Sequence, residues 1–87
     1  MKFNSNKERR EYWELIQTKY PLNEIEIALL KLKPDAAKVL TLYYQQDFSF
    51  KEITFIMKKS ITVIRNHHNR GIYKLYRYFN PRSTETS

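Results

Sequence analysis

Apolar residues recur three and four positions apart along most of this chain, the spacing that lines one face of a helix. Trp13, Ile16 and Tyr20 make such a stripe, with Tyr12 and Leu15 beside it. They predict a first helix over residues 6–20. Ser5 or Asn6 can cap it, and Glu8 lies in its first turn, where the helix macrodipole favours an acid. Pro21 ends it, because the residue before a proline is pushed away from αR. Leu22, Ile25, Leu29 and Leu32 predict a second helix over 24–32, with Asn23 as its cap. Pro34 opens a third with Asp35 in its first turn, turning Ala36, Val39, Leu40 and Tyr43 toward the core. A turn falls at Asp47 and Phe48. Ser49 then caps a fourth helix with Glu52 three residues on, the spacing of a capping box. Ile53, Ile56 and Met57 share its inner face. Ser60 caps a fifth helix that Pro81 stops, about twenty residues and ~30 Å long. Ile61, Ile64, His68, Ile72, Leu75 and Phe79 run down its inner side.

Strand alternation is nowhere sustained. The expectation is an all-α fold, a small helical domain of four to five helices. Residues 1–80 form a single unit, and residues 81–87 a flexible polar tail. Only Lys58 and Lys59 separate the last two helices. Two helices so joined make a helix-turn-helix, here over about 49–79, and the second helix of that motif can lie in the major groove of DNA.

The charge distribution sharpens this picture. Residues 51–82 hold eight Lys/Arg and one Glu, whereas residues 1–50 hold eight Lys/Arg and seven Asp/Glu. Nearly all of the net +7 therefore lies on and after the proposed reading helix, where phosphates would be. With no Cys, disulfides and thiolate metal sites are excluded, and a reducing cytoplasm fits. The one Gly leaves no phosphate-cradling loop. No apolar run approaches the ~20 residues of a membrane span, and no signal peptide is expected after Met1 and Lys2.

Several residues fall into a known pattern. Leu42 and Tyr44 fit the L-x-Y ending of a Pro-started helix. Ser49, Glu52, Ile53, Ser60, Arg70 and Gly71 fall without a gap on the frame S-x-x-E-I-A-x-x-L-G-I-S-x-x-T-V followed by R-G. Thr54, Met57, Val63 and Ile64 stand for its Ala, Leu, Thr and Val. On these residues the chain, from about 27 to 75, resembles the fourth conserved region of bacterial sigma factors of the sigma-70 type. Ser49, Lys51, Glu52 and Ile53, with Arg65, His67, Tyr73, Lys74 and Leu75, are also similar to the LuxR-type DNA-binding domain. Three positions depart from the sigma pattern. The turn Gly is Lys58, so a residue near positive φ carries a Cβ. The Ile after it is Lys59, and His68 stands where Leu is usual.

The resemblance implies a DNA-binding transcription regulator with double-stranded DNA as partner, located in the bacterial cytoplasm on the nucleoid. In the sigma family this region binds the promoter −35 element and also the flap of the polymerase β subunit. An adaptor or decoy on the RNA polymerase core is therefore the alternative. The LuxR likeness implies a dimeric DNA binder, a homodimer through the C-terminal half of helix 60–79. Eighty-seven residues leave no room for the sigma regions that open the −10 element, so the chain is not expected to initiate transcription by itself.

On the DNA reading, Thr62, Val63, Asn66 and His67 project from the first two turns of the last helix. Asn66 can pair bidentately with adenine, and Val63 or the Thr62 methyl can touch a thymine methyl. Lys58, Lys59, Arg65 and Arg70 would hold phosphates, which position without specifying. Ser60 and Asn69 complete the candidate set, and Ile61 is assigned to the core. The bland alternative is a helical scaffold whose basic face is merely solvated. His67 and His68 point about 100° apart on a helix and lack a third ligand, so no metal is expected. His68 is read as a semi-buried core residue, and replacing it by Leu should leave stability equal or higher. No catalytic set stands out, so no enzymatic activity and no cofactor are expected. Tyr73, Tyr76, Tyr78 and Phe79 could stack single-stranded bases, although such spacing more often marks a core or an interface. Phe55, with Phe48 and Phe50, would form an exposed cluster for a protein partner, or Phe55 is a lone surface aromatic. The last helix is too aromatic on several sides for a membrane-surface helix.

Overall fold

A computed structural model describes residues 3–81; of the proposed tail at 81–87, residues 82–87 lie outside the described residues. The chain order is α1 (Asn6–Lys19), α2 (Leu22–Leu30), α3 (Pro34–Leu40), a π-helical turn (Thr41–Gln45), α4 (Phe50–Met57) and α5 (Ile61–Phe79). The fold is all-α with a helix-turn-helix at its end, as the periodicity predicts.

Local chemistry sets most of the boundaries. At the start of α1 the Ser5 Oγ accepts a hydrogen bond from the Glu8 N–H (3.2 Å), and Glu8 Oε1 accepts one from the Asn4 N–H (2.6 Å). The first satisfies a donor that the helix start leaves open, and the second ties the residue before the cap to the first turn. Pro34 opens α3 at a position where its missing N–H costs nothing. The second helix departs from expectation at both ends. It begins at Leu22 with Pro21 as its cap, so Asn23 is inside the helix rather than capping it. It ends at Leu30; Leu32 still reaches the core, from the connection to α3. Leu22 is 60% exposed, and the buried face of α2 begins at Ile25, continuing with Ala28 and Leu29.

Two apolar clusters hold the molecule together, with α3 between them. The larger joins Tyr12, Trp13 and Ile16 of α1 to Ile25, Ala28 and Leu29 of α2, with Leu40, Ile72 and Leu75. The smaller is Val39, Leu42, Ile53 and Ile64, which locks α4 onto α5. Adjacent residues of α3 thus serve opposite sides: Val39 the smaller cluster, Leu40 the larger. Gly71 lets α5 approach α3 closely, since a Cβ there would come within 2.9 Å of Leu40 Cδ1. The C-terminal half of α5 packs on α1. Tyr20 and Phe79 stack at 4.2 Å, and Tyr12 meets Tyr76 edge-on at 5.6 Å. The inner aromatics of this half are therefore core, while Tyr73 and Tyr78 remain on the surface.

After α3 the chain takes one wide turn, closed by the Gln46 N–H donating to the Thr41 carbonyl at 3.1 Å. An extra residue per turn rotates the next side chains relative to those of α3. Tyr43 and Tyr44 both become half-buried, 4.8 Å apart and edge-to-face. Tyr44 stacks on Trp13 of α1 (4.8 Å) and Tyr43 on Phe50 of α4 (4.2 Å). This turn ties the N-terminal helix to the helix-turn-helix.

Candidate nucleic-acid interface

The turn between α4 and α5 is built from backbone and caps. Ser49 and Glu52 form the capping box that starts α4. Lys58 ends it in the left-handed region, at φ 55 and ψ 46. The N–H groups of Lys58 and Lys59 both turn back to the Thr54 carbonyl. Ser60 Oγ then accepts from the Val63 N–H at 3.3 Å and starts α5. Lys58 thus takes the conformation that glycine adopts without cost. Ile53 and Ile64, both fully buried, fix the angle between the two helices.

That packing decides which face of α5 looks outward. Ile64, His68, Gly71, Ile72 and Leu75 are buried. Thr62, Val63, Arg65 and Asn66 are exposed on the first two turns, and Arg70 comes after them. Lys58 is exposed in the turn, and Lys59 is half-buried there. Two apolar assignments change. Ile61 is 38% exposed rather than core, and Ile56 is 43% exposed rather than on the inner face of α4. Each lies about 60° round its helix from the neighbour that is buried, Ile64 and Ile53 respectively. The four-residue cluster between these short contacts is too narrow to cover them. Phe55 faces outward as expected, at 73% exposure, but not as part of a Phe cluster. Phe48 and Phe50 pack against the smaller core instead.

The two histidines take different roles. His68 is fully buried among Tyr43, Tyr44 and Phe50. Its Nε2 accepts from the Tyr44 hydroxyl at 2.5 Å, and its Nδ1–H donates to Asn69 Oδ1 at 2.9 Å, a tautomer assigned from these partners. Burial pushes the imidazole down to about 4, with the cations of Arg9 and Arg10 adding to the effect against the Asn69 bond. His68 is therefore neutral at physiological pH. Burial likewise raises the Tyr44 phenol well above its usual range. His67 is half-buried, with its Nε2 4.0 Å from Asp35 Oδ2. The same Asp35 oxygen is 3.5 Å from Lys59 Nζ. Among the described residues there is no group of three or more His, Cys, Asp or Glu placed to hold a metal. No helix among them is long and apolar enough to cross a membrane.

Of the ten sequence candidates, Lys58, Thr62, Val63, Arg65, Asn66 and Arg70 are exposed. Ser60 is engaged in its cap, Asn69 is half-buried against His68, and Lys59 and His67 face Asp35. Sequence reasoning missed three contributors. Lys33 and Lys74 join Arg70 and His67 around a groove of about 390 Å³ between the start of α3 and α5. Asp35 sits in that same first turn of α3. Lys74 is legible as one turn beyond Arg70; Lys33 and Asp35 reach the site only through the fold.

Compared with known families, residues 28–77 match the family described as Sigma-70, region 4. That stretch runs from the last turn of α2 to near the end of α5. The chain belongs to the sigma-70 region 4 family. It is a family of helix-turn-helix DNA-binding domains related to sigma factors, not a family of enzymes. No curated protein and no solved structure matches the chain. Within this family member, His68 is buried with its bond to Tyr44, and Lys58 holds the left-handed turn.

Proposed function

We propose that this sigma-70 region 4 domain acts as a transcription regulator that reads duplex DNA with α5 in the major groove. The observation that carries the reading is the outward face of α5. Thr62, Val63 and Asn66 stand together on its first turns, beside Lys58, Arg65 and Arg70. Asn66 offers the amide that pairs with adenine N6 and N7, and Val63 and the Thr62 methyl suit a thymine methyl. Lys58, Arg65 and Arg70 neutralise phosphates and set the register. Ser60 keeps a hydroxyl proton to donate to a phosphate while its oxygen caps α5. His67, Asn69 and Lys59 border the contact.

Selection of bound sequences from a random duplex pool, followed by anisotropy titrations, tests this. Engagement of about four to six Lys/Arg gives a slope of log K against log salt of roughly −4 to −5. Asn66→Ala should relax base preference by ~1–3 kcal/mol at one position, whereas Arg65→Ala should weaken all duplexes alike. No duplex binding at low salt, or a flat salt response, overturns the reading.

A second reading, docking on the RNA polymerase core, is favoured by the exposure of Phe55 beside Ile56 on α4. Pulldown with core polymerase that persists at high salt and is lost in Phe55→Ala would support it over DNA reading.

A further inference from the structure

The pairing of Asp35 with Lys59 and His67 is not explained by the fold. All three side chains are partly solvated, with 48% of the Asp35 side chain and 37% of the Lys59 side chain accessible. Ion pairs so exposed contribute ~0–1 kcal/mol to stability. Yet this one carboxylate oxygen faces two DNA-side groups at once, at 3.5 Å and 4.0 Å. One of the two, His67, also lines the groove where Lys33, Arg70 and Lys74 converge beside Leu32, Ala36 and Gly71, and so joins the Asp35–Lys59 pair to it. Three cations around one concave surface favour an anion there. A carboxylate oxygen and a phosphate oxygen are interchangeable acceptors for a lysine ammonium.

We propose that this groove seats a backbone phosphate of bound DNA, and that Asp35 is its resident competitor, holding Lys59 and His67 until the phosphate displaces it. The inference rests on duplex DNA being the ligand and adds a contact surface beyond the α5 reading face. In the free protein Asp35 orients Lys59 and lowers the local positive potential. On binding, Lys59 exchanges its carboxylate for phosphate, and Lys33, Arg70 and Lys74 close around the strand. Asp35 thereby weakens binding to every duplex by the same factor. The ratio of specific to non-specific affinity is unchanged, and Asp35 lowers the absolute occupancy of all DNA.

The experiment is a set of anisotropy titrations at several salt concentrations, using a random-sequence duplex and the selected duplex, with thermal melts of each protein. Asp35→Asn should bind both duplexes about fivefold more tightly at low salt, the scale of one charge contact of about 1 kcal/mol. Its melting temperature should stay level or fall slightly, because an acid is lost from the first turn of α3. In a Lys59→Met background the gain from Asp35→Asn should shrink. A general repulsion between Asp35 and DNA would give the same gain in both backgrounds, and that result overturns the competitor role. Lys33→Gln with Lys74→Gln should weaken both duplexes and make the salt slope shallower by about two; an unchanged slope overturns the phosphate seat. Failure of the unmodified protein to bind duplex removes the DNA reading itself. Duplex binding that Asp35→Asn leaves unchanged removes only this inference.

Discussion

Acidification should destabilise this domain through one residue, His68. Its imidazole is buried against Tyr44 and Phe50 and is held down at about 4, against 6.5 for the exposed group. Above pH 6.5 both folded and unfolded chains carry it neutral, and it contributes no pH dependence. Below 6.5 the unfolded chain takes up a proton that the native one refuses, so stability falls as pH drops. The loss continues until about pH 4, where the native imidazole also protonates. A gap of that size is worth roughly 3 kcal/mol in full and about 2 kcal/mol at pH 5. For a domain of this size it lowers the melting temperature by about 8–16 °C between pH 7 and pH 5. Carboxylates titrate in the lower part of this range too, so the measurement is a difference: melts from pH 7.5 to 4.5 of the parent and of His68→Leu. The variant should lose about 2 kcal/mol less than the parent between pH 7 and 5. The structure also alters the expectation that Leu leaves stability equal or higher. His68 is the acceptor for the Tyr44 hydroxyl, and removing it strands that half-buried group at a cost of about 1–3 kcal/mol at pH 7. Adding Tyr44→Phe removes the stranded hydroxyl, keeps the ring on Trp13, and should recover most of the loss. Parallel pH profiles for parent and His68→Leu would refute the account.

Two further substitutions probe the backbone. Lys58→Gly relieves a side chain held at φ 55 and should raise stability by about 0.5–1 kcal/mol, read as a higher urea midpoint with unchanged slope; a lower midpoint would show that the turn carries no strain there. Gly71→Val forces atoms into the 2.9 Å approach to Leu40 and should cost about 1–3 kcal/mol, part of which Leu40→Ala in the same chain restores; additive losses from the two changes would show that they do not meet.

The sequence by itself determined the number and order of the helices, the caps of all but α2 and the helix-turn-helix. These are local properties: a stripe of apolar residues, a proline, or a Ser–Glu pair three apart acts within one or two turns of chain. Ser49 and Ser60 cap as their spacing predicts, Ser5 does so of the two candidates Ser5 and Asn6, and Lys58 takes the left-handed conformation expected at the turn position. The burial of His68 was legible too, because it falls on the line Ile64–Ile72 of α5. Tertiary structure decided what those residues do to one another. The wide turn at Thr41–Gln45 has no periodic signature, yet it brings Tyr43 and Tyr44 together and gives His68 its partner. Ile61 and Ile56 share the hydrophobicity of their buried neighbours and differ only in how far the short α4–α5 contact extends. Lys33 and Asp35 lie some thirty residues before His67 and Arg70, and the electrostatics of that face exist only because α3 crosses α5 where Gly71 allows it. Local spacing fixes where most of these helices start and stop, α2 excepted, whereas charge and hydrogen bonding depend on through-space distance, which only the packed chain supplies.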